Sequence, residues 1–193
     1  MTEKLRCFIA VELPDEVKLS IESCQDYLKT GRHSFVRWVN PQGIHLTLAF
    51  LGDVSVEVLP GITEAMERAV MGSTLLDLTV TELGVFPGWQ QPRVVWLGLK
   101  GDIHGLELVQ TALTQELMQL GFMPESRSFN PHLTLGRIRD GATSDQKREF
   151  GEWVRAARFD NQVQFKATIL SLMKSVLKPS GAVYSCLNSV VLS

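Results

Sequence analysis

The sequence predicts one compact body of mixed α-helices and β-strands, made of two related halves. With 193 residues, 45% hydrophobic and 21% charged, the chain has the size and composition of a single globular domain. Segments with helical spacing of apolar residues alternate with short β-prone segments. A motif that begins at residue 45 returns at residue 132, which indicates a repeated unit. We therefore expect one domain over residues 1–193, built of two intimately packed, pseudo-symmetric lobes.

The first part of the chain is predicted to form a strand, a helix and two further strands. Residues 6–13 are apolar and β-prone, and Pro14 follows where a first helical turn tolerates proline. Apolar residues at helical spacing then predict the first helix. Residues 35–39 are β-like, and a turn at residues 40–43 leads into a strand that begins near Ile44.

A second helix and a hairpin follow. Ser55 is a candidate cap of a helix that runs to about Val70, and Pro60 fits only within the first turn of such a helix. Alternating apolar residues predict strands at residues 76–80 and 94–99, which are expected to pair as a hairpin.

The second half of the chain is predicted to contain two helices and three further strands. A stripe of leucines marks a helix that ends at Gly121. A strand is expected at residues 132–138, followed by a helix with a capping box that begins at Thr143. The β-prone runs at residues 163–177 and 182–192 are separated by a turn sequence, which predicts a hairpin.

Composition and charge argue against two broad classes of protein. The formal net charge of −2 disfavours a basic face that coats nucleic acid, so any RNA contact is expected to be local. No apolar run reaches the length of a membrane span or of the central segment of a signal peptide. The cysteines Cys7, Cys24 and Cys186 lack paired spacing and are predicted to be buried apolar residues. We expect a cytoplasmic monomer without membrane contact.

The most informative feature is the internal repeat. His45 begins the sequence HLTLAFLGD and His132 begins HLTLGRIRD, and an Asn-Pro pair precedes each copy. Side chains alternate along a strand, so each histidine shares a face with the threonine two positions later. Two such strands near a pseudo-twofold axis would surround one small cavity with both histidines, Thr47 and Thr134. Such a cavity suits a phosphate group.

These residue types fit displacement at phosphorus. The reaction needs a base that takes a proton from water and an acid that protonates the departing oxygen, and histidine performs either role near neutral pH. Threonine hydroxyls donate hydrogen bonds to phosphate oxygens, and a nearby arginine stabilises transition-state charge. Two histidines with two threonines make a poor zinc site, so we expect neither a metal nor another cofactor. A single His-x-Thr is more often structural, and the duplication is what indicates a functional site.

The sequence closely resembles the RNA 2′,3′-cyclic phosphodiesterases of the two-histidine phosphoesterase superfamily, also described as LigT-like proteins or 2′-5′ RNA ligases. The resemblance spans nearly the whole chain and includes RCFIAVELP, VRWVNPQGIHLTLAFLGDV and FNPHLTLGR. It implies a bilobal α+β fold with an antiparallel sheet and helices in each lobe and an active-site cleft between the lobes. It also implies that His45 protonates the leaving ribose oxygen and that His132 accepts the proton of the attacking water. Thr47 and Thr134 would hold the phosphate, with Arg137 assisting.

Arg137 and its counterpart in the first copy, Phe50, have alternative interpretations. A regular strand directs Arg137 away from the histidine, whereas a bulge or bend at Gly136 would return its guanidinium to the phosphate. The alternative is a solvated arginine at a strand end. Phe50 is interpreted as a core residue in preference to a surface on which a base stacks. Trp38 and Phe129, next to the motifs, have the same two interpretations.

Two functions of different classes follow. The first is hydrolysis of a 2′,3′-cyclic phosphate on an RNA end or a nucleotide to a 2′-phosphate, with reverse 2′-5′ joining at the same site. The second is noncatalytic binding of RNA ends or nucleotides, against which the presence of both histidines argues. Within the superfamily, a cyclic ADP-ribose phosphate or a 2′-5′ oligonucleotide is an alternative substrate.

Overall fold

A computed structural model describes residues 3–125, 128–159, 162–178 and 181–192. Within these residues the chain forms four α-helices and nine β-strands. The helices are α1 (Asp15–Lys29), α2 (Leu59–Val70), α3 (Ile103–Gln119) and α4 (Ser144–Ala156). The strands are β1 (Lys4–Glu12), β2 (Val36–Trp38), β3 (His45–Ser55), β4 (Leu76–Phe86), β5 (Val94–Gly101), β6 (His132–Ile138), β7 (Gln164–Ala167), β8 (Ile169–Lys178) and β9 (Gly181–Val191). The fold is α+β, as the resemblance implies.

The strands form one antiparallel sheet with the repeat at its middle. The strand order is β7-β4-β5-β6-β3-β1-β8-β9, and β2 also pairs with β6. The strands that carry the two motifs, β3 and β6, are neighbours and join the two halves of the sheet. They pair with Leu46 opposite Leu133, and each of these leucines directly follows the histidine of its motif. Because equivalent residues face each other in an antiparallel pair, a local twofold axis passes between the motifs.

The end of the chain contributes to both halves of the sheet. The single β-prone run at residues 163–177 divides into β7, which pairs with β4, and β8, which pairs with β1. The predicted hairpin of β8 and β9 is confirmed, and so is the pairing of β4 with β5. The last three strands are therefore divided: β7 extends the half of the sheet that contains β4, and β8 and β9 extend the half that contains β1.

The start of α2 differs from the prediction. Ser55 makes no capping hydrogen bond, because a short 3-10 helix at Val56–Val58 separates it from α2. Pro60 lies in the first turn of α2, where its missing N–H has no partner in the helix. The predicted capping box of α4 is confirmed, with Thr143 and Gln146 bonded to each other's backbone N–H.

The hydrophobic core lies between the helices and one face of the sheet. One continuous cluster joins buried side chains of all four helices to buried side chains of the strands. Its largest fully buried members include Ile21, Leu28, Ile62, Leu113 and Phe150. A second, much smaller buried cluster lies on the opposite face of the sheet. In the described part of the chain, none of the helices is both long enough and apolar enough to cross a membrane.

The cysteines are only partly as predicted. Cys7 and Cys24 are buried, and burial raises the pKa of the Cys24 thiol to about 12. Cys186 is exposed, so the prediction was wrong for this residue. It lies on the edge strand β9, whose side chains mostly face solvent.

Candidate active site

The two motifs meet on the face of the sheet that points away from the helices. The leucine between the histidine and threonine of each motif is fully buried against the core, so the residues on either side of it face the other way. Because β3 and β6 are antiparallel, His45 flanks Thr134 and Thr47 flanks His132 across the junction. We call the surface defined by these four residues the histidine face. The fold thus brings the four predicted residues of the repeat into one place.

A backbone hydrogen bond orients each imidazole in the same way. The Nδ1 of His45 lies 2.8 Å from the carbonyl oxygen of Gly43, and the Nδ1 of His132 lies 2.7 Å from that of Asn130. A carbonyl oxygen only accepts, so Nδ1 carries the hydrogen in both rings. This arrangement leaves Nε2 of each histidine available for proton transfer. The Gly43 carbonyl belongs to the turn after the first Asn-Pro pair, and the Asn130 carbonyl belongs to the second Asn-Pro pair itself.

His45 lies between aromatic rings and beside a carboxylate. The ring of Phe8 stacks on it at 4.5 Å between centroids, and Tyr184 meets it edge-on at 5.0 Å. Glu12 lies opposite His45 in the β1–β3 pair, and the Ser171 hydroxyl donates to the Glu12 carboxylate at 2.7 Å. Burial lowers the pKa of His45, while the hydrogen bond to the backbone carbonyl and the charge of Glu12 act to raise this pKa.

His132 also lies beside aromatic rings, but its charged neighbour is a cation. Phe86 meets it edge-on at 5.0 Å, and Trp96 lies 6.2 Å away. The indole of Trp96 occupies space that a Cβ at Gly84 would fill, so glycine is required there. Burial lowers the pKa of His132; the hydrogen bond to the backbone carbonyl raises it, and the charge of Arg137 lowers it further.

Arg137 reaches the histidine face through a bulge in β6. The pairing of β6 with β5 skips Leu135, so the alternation of side chains changes at this point. After the bulge Arg137 is exposed and Ile138 is buried. The guanidinium is close enough to lower the pKa of His132. The bulge predicted at Gly136 is therefore present, formed by this glycine with the residue before it.

A buried glutamine of α1 supports the bulge from the core side. Gln25 is fully buried, and its amide nitrogen donates to the carbonyl of Leu135 at 2.9 Å and to the carbonyl of Val39 at 2.8 Å. The Val39 N–H also donates to the Leu135 carbonyl, at 2.9 Å. The Leu135 carbonyl, which the bulge takes out of the pairing with β5, is thereby satisfied.

The first copy of the motif has a bulge at the equivalent position. The pairing of β3 with β1 skips Leu48, which brings Phe50 onto the histidine face. Phe50 is 59% exposed and its ring lies 6.3 Å from that of Phe8, so the interpretation of Phe50 as a core residue was wrong. Trp38 and Phe129 do pack against the core, as the preferred interpretation predicted.

Several residues of the site were not predicted from the sequence. Glu12 is a charged residue at the end of an apolar strand, four positions after Phe8, so strand alternation places both on one face. That spacing is a signal that the sequence contains. Trp96, Tyr184 and Gln25 have no such signal, because each reaches the site through pairing between distant segments of the chain.

The residues of the site do not form a metal-binding set. Within the described ranges, no three His, Cys, Asp or Glu side chains are grouped closely enough to hold a metal ion. Besides the Glu12 carboxylate, the groups near the imidazoles are hydroxyls, aromatic rings and a guanidinium. The hydroxyls can donate hydrogen bonds to an anion, and the guanidinium also supplies positive charge.

Solved structures with the same fold cover essentially the whole chain. Escherichia coli LigT in its apo form is 25% identical with a TM-score of 0.79, and the match covers 100% of this chain and 99% of that one. Escherichia coli LigT complexed with 3′-AMP is 26% identical with a TM-score of 0.78, covering 99% of both chains. A Thermus thermophilus protein is 26% identical with a TM-score of 0.77, covering 97% of this chain and 98% of that one.

Sequence comparison assigns the chain to a family. The family model described as LigT like phosphoesterase matches residues 11–96 and 100–184. The RNA 2′,3′-cyclic phosphodiesterase of Methanothermobacter thermautotrophicus is 31% identical over 182 residues, 94% of this chain and 96% of that protein. The Escherichia coli protein of the same name is 32% identical over 145 residues, 74% and 76% of the two chains. The chain belongs to the LigT-like phosphoesterase family.

Proposed function

We propose that this phosphoesterase opens the 2′,3′-cyclic phosphate at the end of an RNA chain and leaves a 2′-phosphate, without a metal ion. The observation that carries the proposal is the register of Leu46 opposite Leu133, which joins two His-x-Thr motifs on one face. The names of the relatives support the substrate class. The 3′-AMP complex of Escherichia coli LigT supports a nucleotide ligand.

The proposed reaction uses the two imidazoles as a base and an acid. Nε2 of His132 takes a proton from water as the water oxygen bonds to phosphorus. The bond from phosphorus to the 3′ oxygen breaks, and His45 gives that oxygen a proton. Thr47 and Thr134 donate hydrogen bonds to the non-bridging oxygens, and Arg137 balances the charge that develops on them. The phosphate remains on the 2′ oxygen.

The charges beside the histidines support this assignment of roles. Glu12 favours the protonated form of His45, which is the form that an acid needs. Arg137 favours the neutral form of His132, which is the form that a base needs. Burial lowers both pKa values, but the charged neighbours of the two histidines act in opposite directions. Neighbouring charges that separate the pKa values of two groups in this way are typical of acid and base pairs.

Two further properties belong to the proposal. Reverse joining of RNA ends through a 2′-5′ linkage uses the same site, because acid and base exchange roles on reversal. Residues 1–193 form a single domain of two packed, pseudo-symmetric lobes, and the pairing of β3 with β6 across the middle of the sheet supports this organisation.

Turnover of a nucleoside 2′,3′-cyclic phosphate tests the proposal. Phosphorus NMR or chromatography against 2′- and 3′-monophosphate standards identifies the product, and parallel reactions contain a chelator. We expect a 2′-phosphate and full activity with chelator. Binding without turnover would support the noncatalytic alternative instead. Activity that a chelator abolishes and a divalent ion restores would refute the metal-free mechanism, whereas a 3′-phosphate product would refute only the orientation.

A further inference from the structure

Two arginines lie side by side next to the histidine face. Arg37 of β2 is directly opposite Arg137 of β6 in an antiparallel pair. The next pair along these strands, Val36 and Ile138, is buried in the core. Because side chains alternate, both arginines project from the other side of the sheet, the side of the histidine face.

Their charges are not balanced by protein groups. Among the described residues, neither Arg37 nor Arg137 lies within ion-pair distance of a carboxylate. Like charges directly opposite each other on neighbouring strands destabilise a sheet. The net charge of the chain is −2, so this local concentration of positive charge is not a general property of the surface. Two adjacent, exposed guanidinium groups instead suit anionic groups of a ligand.

The two arginines do not occupy equivalent places. Arg137 is close enough to His132 to lower its pKa, so its guanidinium lies beside a histidine to which the proposed reaction brings the phosphate. Arg37 lies one strand away from β6, and its Nη2 atom is 3.8 Å from the position that a Cβ of Gly181 would occupy. Its guanidinium therefore extends toward the start of β9, in the β8–β9 hairpin.

We propose that Arg37 binds the phosphodiester on the 5′ side of the terminal nucleotide, so that the enzyme prefers RNA chains to free cyclic nucleotides. This inference rests on the proposed function, because it assumes that the cyclic phosphate lies between His45 and His132. An RNA end carries a second phosphate one nucleotide from the cyclic phosphate, and a nucleoside 2′,3′-cyclic phosphate lacks it. A single local contact of this kind agrees with the slightly acidic chain.

The test compares two substrates that differ in this phosphate. kcat/KM is measured for a nucleoside 2′,3′-cyclic phosphate and for a dinucleotide with a 2′,3′-cyclic end, using the wild type, Arg37→Gln, Arg37→Lys and Arg155→Gln. The exposed Arg155 of α4 serves as a matched control for loss of one positive charge.

We expect Arg37→Gln to lower the preference for the dinucleotide about tenfold, the loss of one charge-assisted hydrogen bond to phosphate. The slope of log kcat/KM for the dinucleotide against log salt should decrease in magnitude by about 0.7. Arg37→Lys should restore most of the preference, and Arg155→Gln should leave it at the wild-type value.

Two results would overturn the inference while the proposed function stands. An equal loss on both substrates would place Arg37 at the reacting phosphate, and an unchanged preference would mean that it binds no phosphate. A wild-type protein that hydrolyses neither substrate would refute the proposed function itself.

Discussion

The substitution Gln25→Met tests whether a buried amide maintains the bulge that directs Arg137. Methionine nearly matches the length of glutamine but donates no hydrogen bond, so the bonds of 2.8 and 2.9 Å to the Val39 and Leu135 carbonyls are lost. Each contributes about 1 kcal/mol net, and an acceptor left without a partner costs about 1–3 kcal/mol. The Leu135 carbonyl keeps the N–H of Val39. The buried Oε1 atom of Gln25 has no hydrogen-bond partner among the described residues, so removing it offsets part of the destabilisation. We expect the free energy of unfolding to decrease by about 1–3 kcal/mol.

Urea denaturation measures this change, with Gln110→Met as a matched control. The Gln110 amide donates to Thr114 within α3 through a partly buried hydrogen bond, so its loss should cost no more than about 0.5 kcal/mol. Because the bulge directs Arg137, the effects of Gln25→Met and Arg137→Gln on kcat/KM should not be additive. An unchanged free energy of unfolding, or additive effects on kcat/KM, would refute the role assigned to Gln25.

The remaining predictions concern the histidine face itself. His45→Ala and His132→Ala should each lower turnover of a cyclic phosphate at least about a hundredfold, the scale of lost acid-base catalysis, with the fold intact by circular dichroism. Near-normal turnover by either folded variant would exclude that histidine from proton transfer. Thr47→Ala and Thr134→Ala should retain more activity than both histidine variants, because each removes one hydrogen bond; the reverse order in the same assay would contradict their roles. Burial lowers the pKa of both histidines below 6.5 in the folded protein. As the pH falls, these histidines are therefore protonated at a higher pH in the unfolded chain than in the folded one. Stability should be full above about pH 6.5 and decrease below it, and urea titrations at pH 5 and 7.5 should show a smaller decrease for the double alanine variant than for the wild type.

The sequence by itself determined the features that depend on neighbouring residues. Helix spacing, the capping box at Thr143 and the β8–β9 hairpin are local patterns, and the structure agrees with them. The repeat of His-x-Thr-x also predicts a symmetric arrangement. Two copies of one motif can pair through equivalent residues, as Leu46 and Leu133 do. The four residues of the histidine face could therefore be predicted from spacing alone.

The Ser55 cap was wrong because a cap depends on where the helix begins, and that start is one 3-10 turn later than the local sequence indicates. Burial was wrong for Cys186, because a strand at the edge of a sheet exposes residues that a central strand would bury. Whether a strand lies at the edge is decided by the order of strands, which no local pattern contains. The division of residues 163–177 between the two halves of the sheet has the same cause.

Only the tertiary structure decided which way the residues after each motif point. The extra residue directly after each motif, Leu48 in β3 and Leu135 in β6, reverses the alternation, so Phe50 is exposed and Arg137 lies beside His132. A bulge forms where a neighbouring strand and a buried partner such as Gln25 accept the displaced backbone groups, and both are distant in sequence. The charges that distinguish the two histidines likewise come from side chains that strand pairing and the bulge bring close, because electrostatic interaction depends on distance in space and not along the chain.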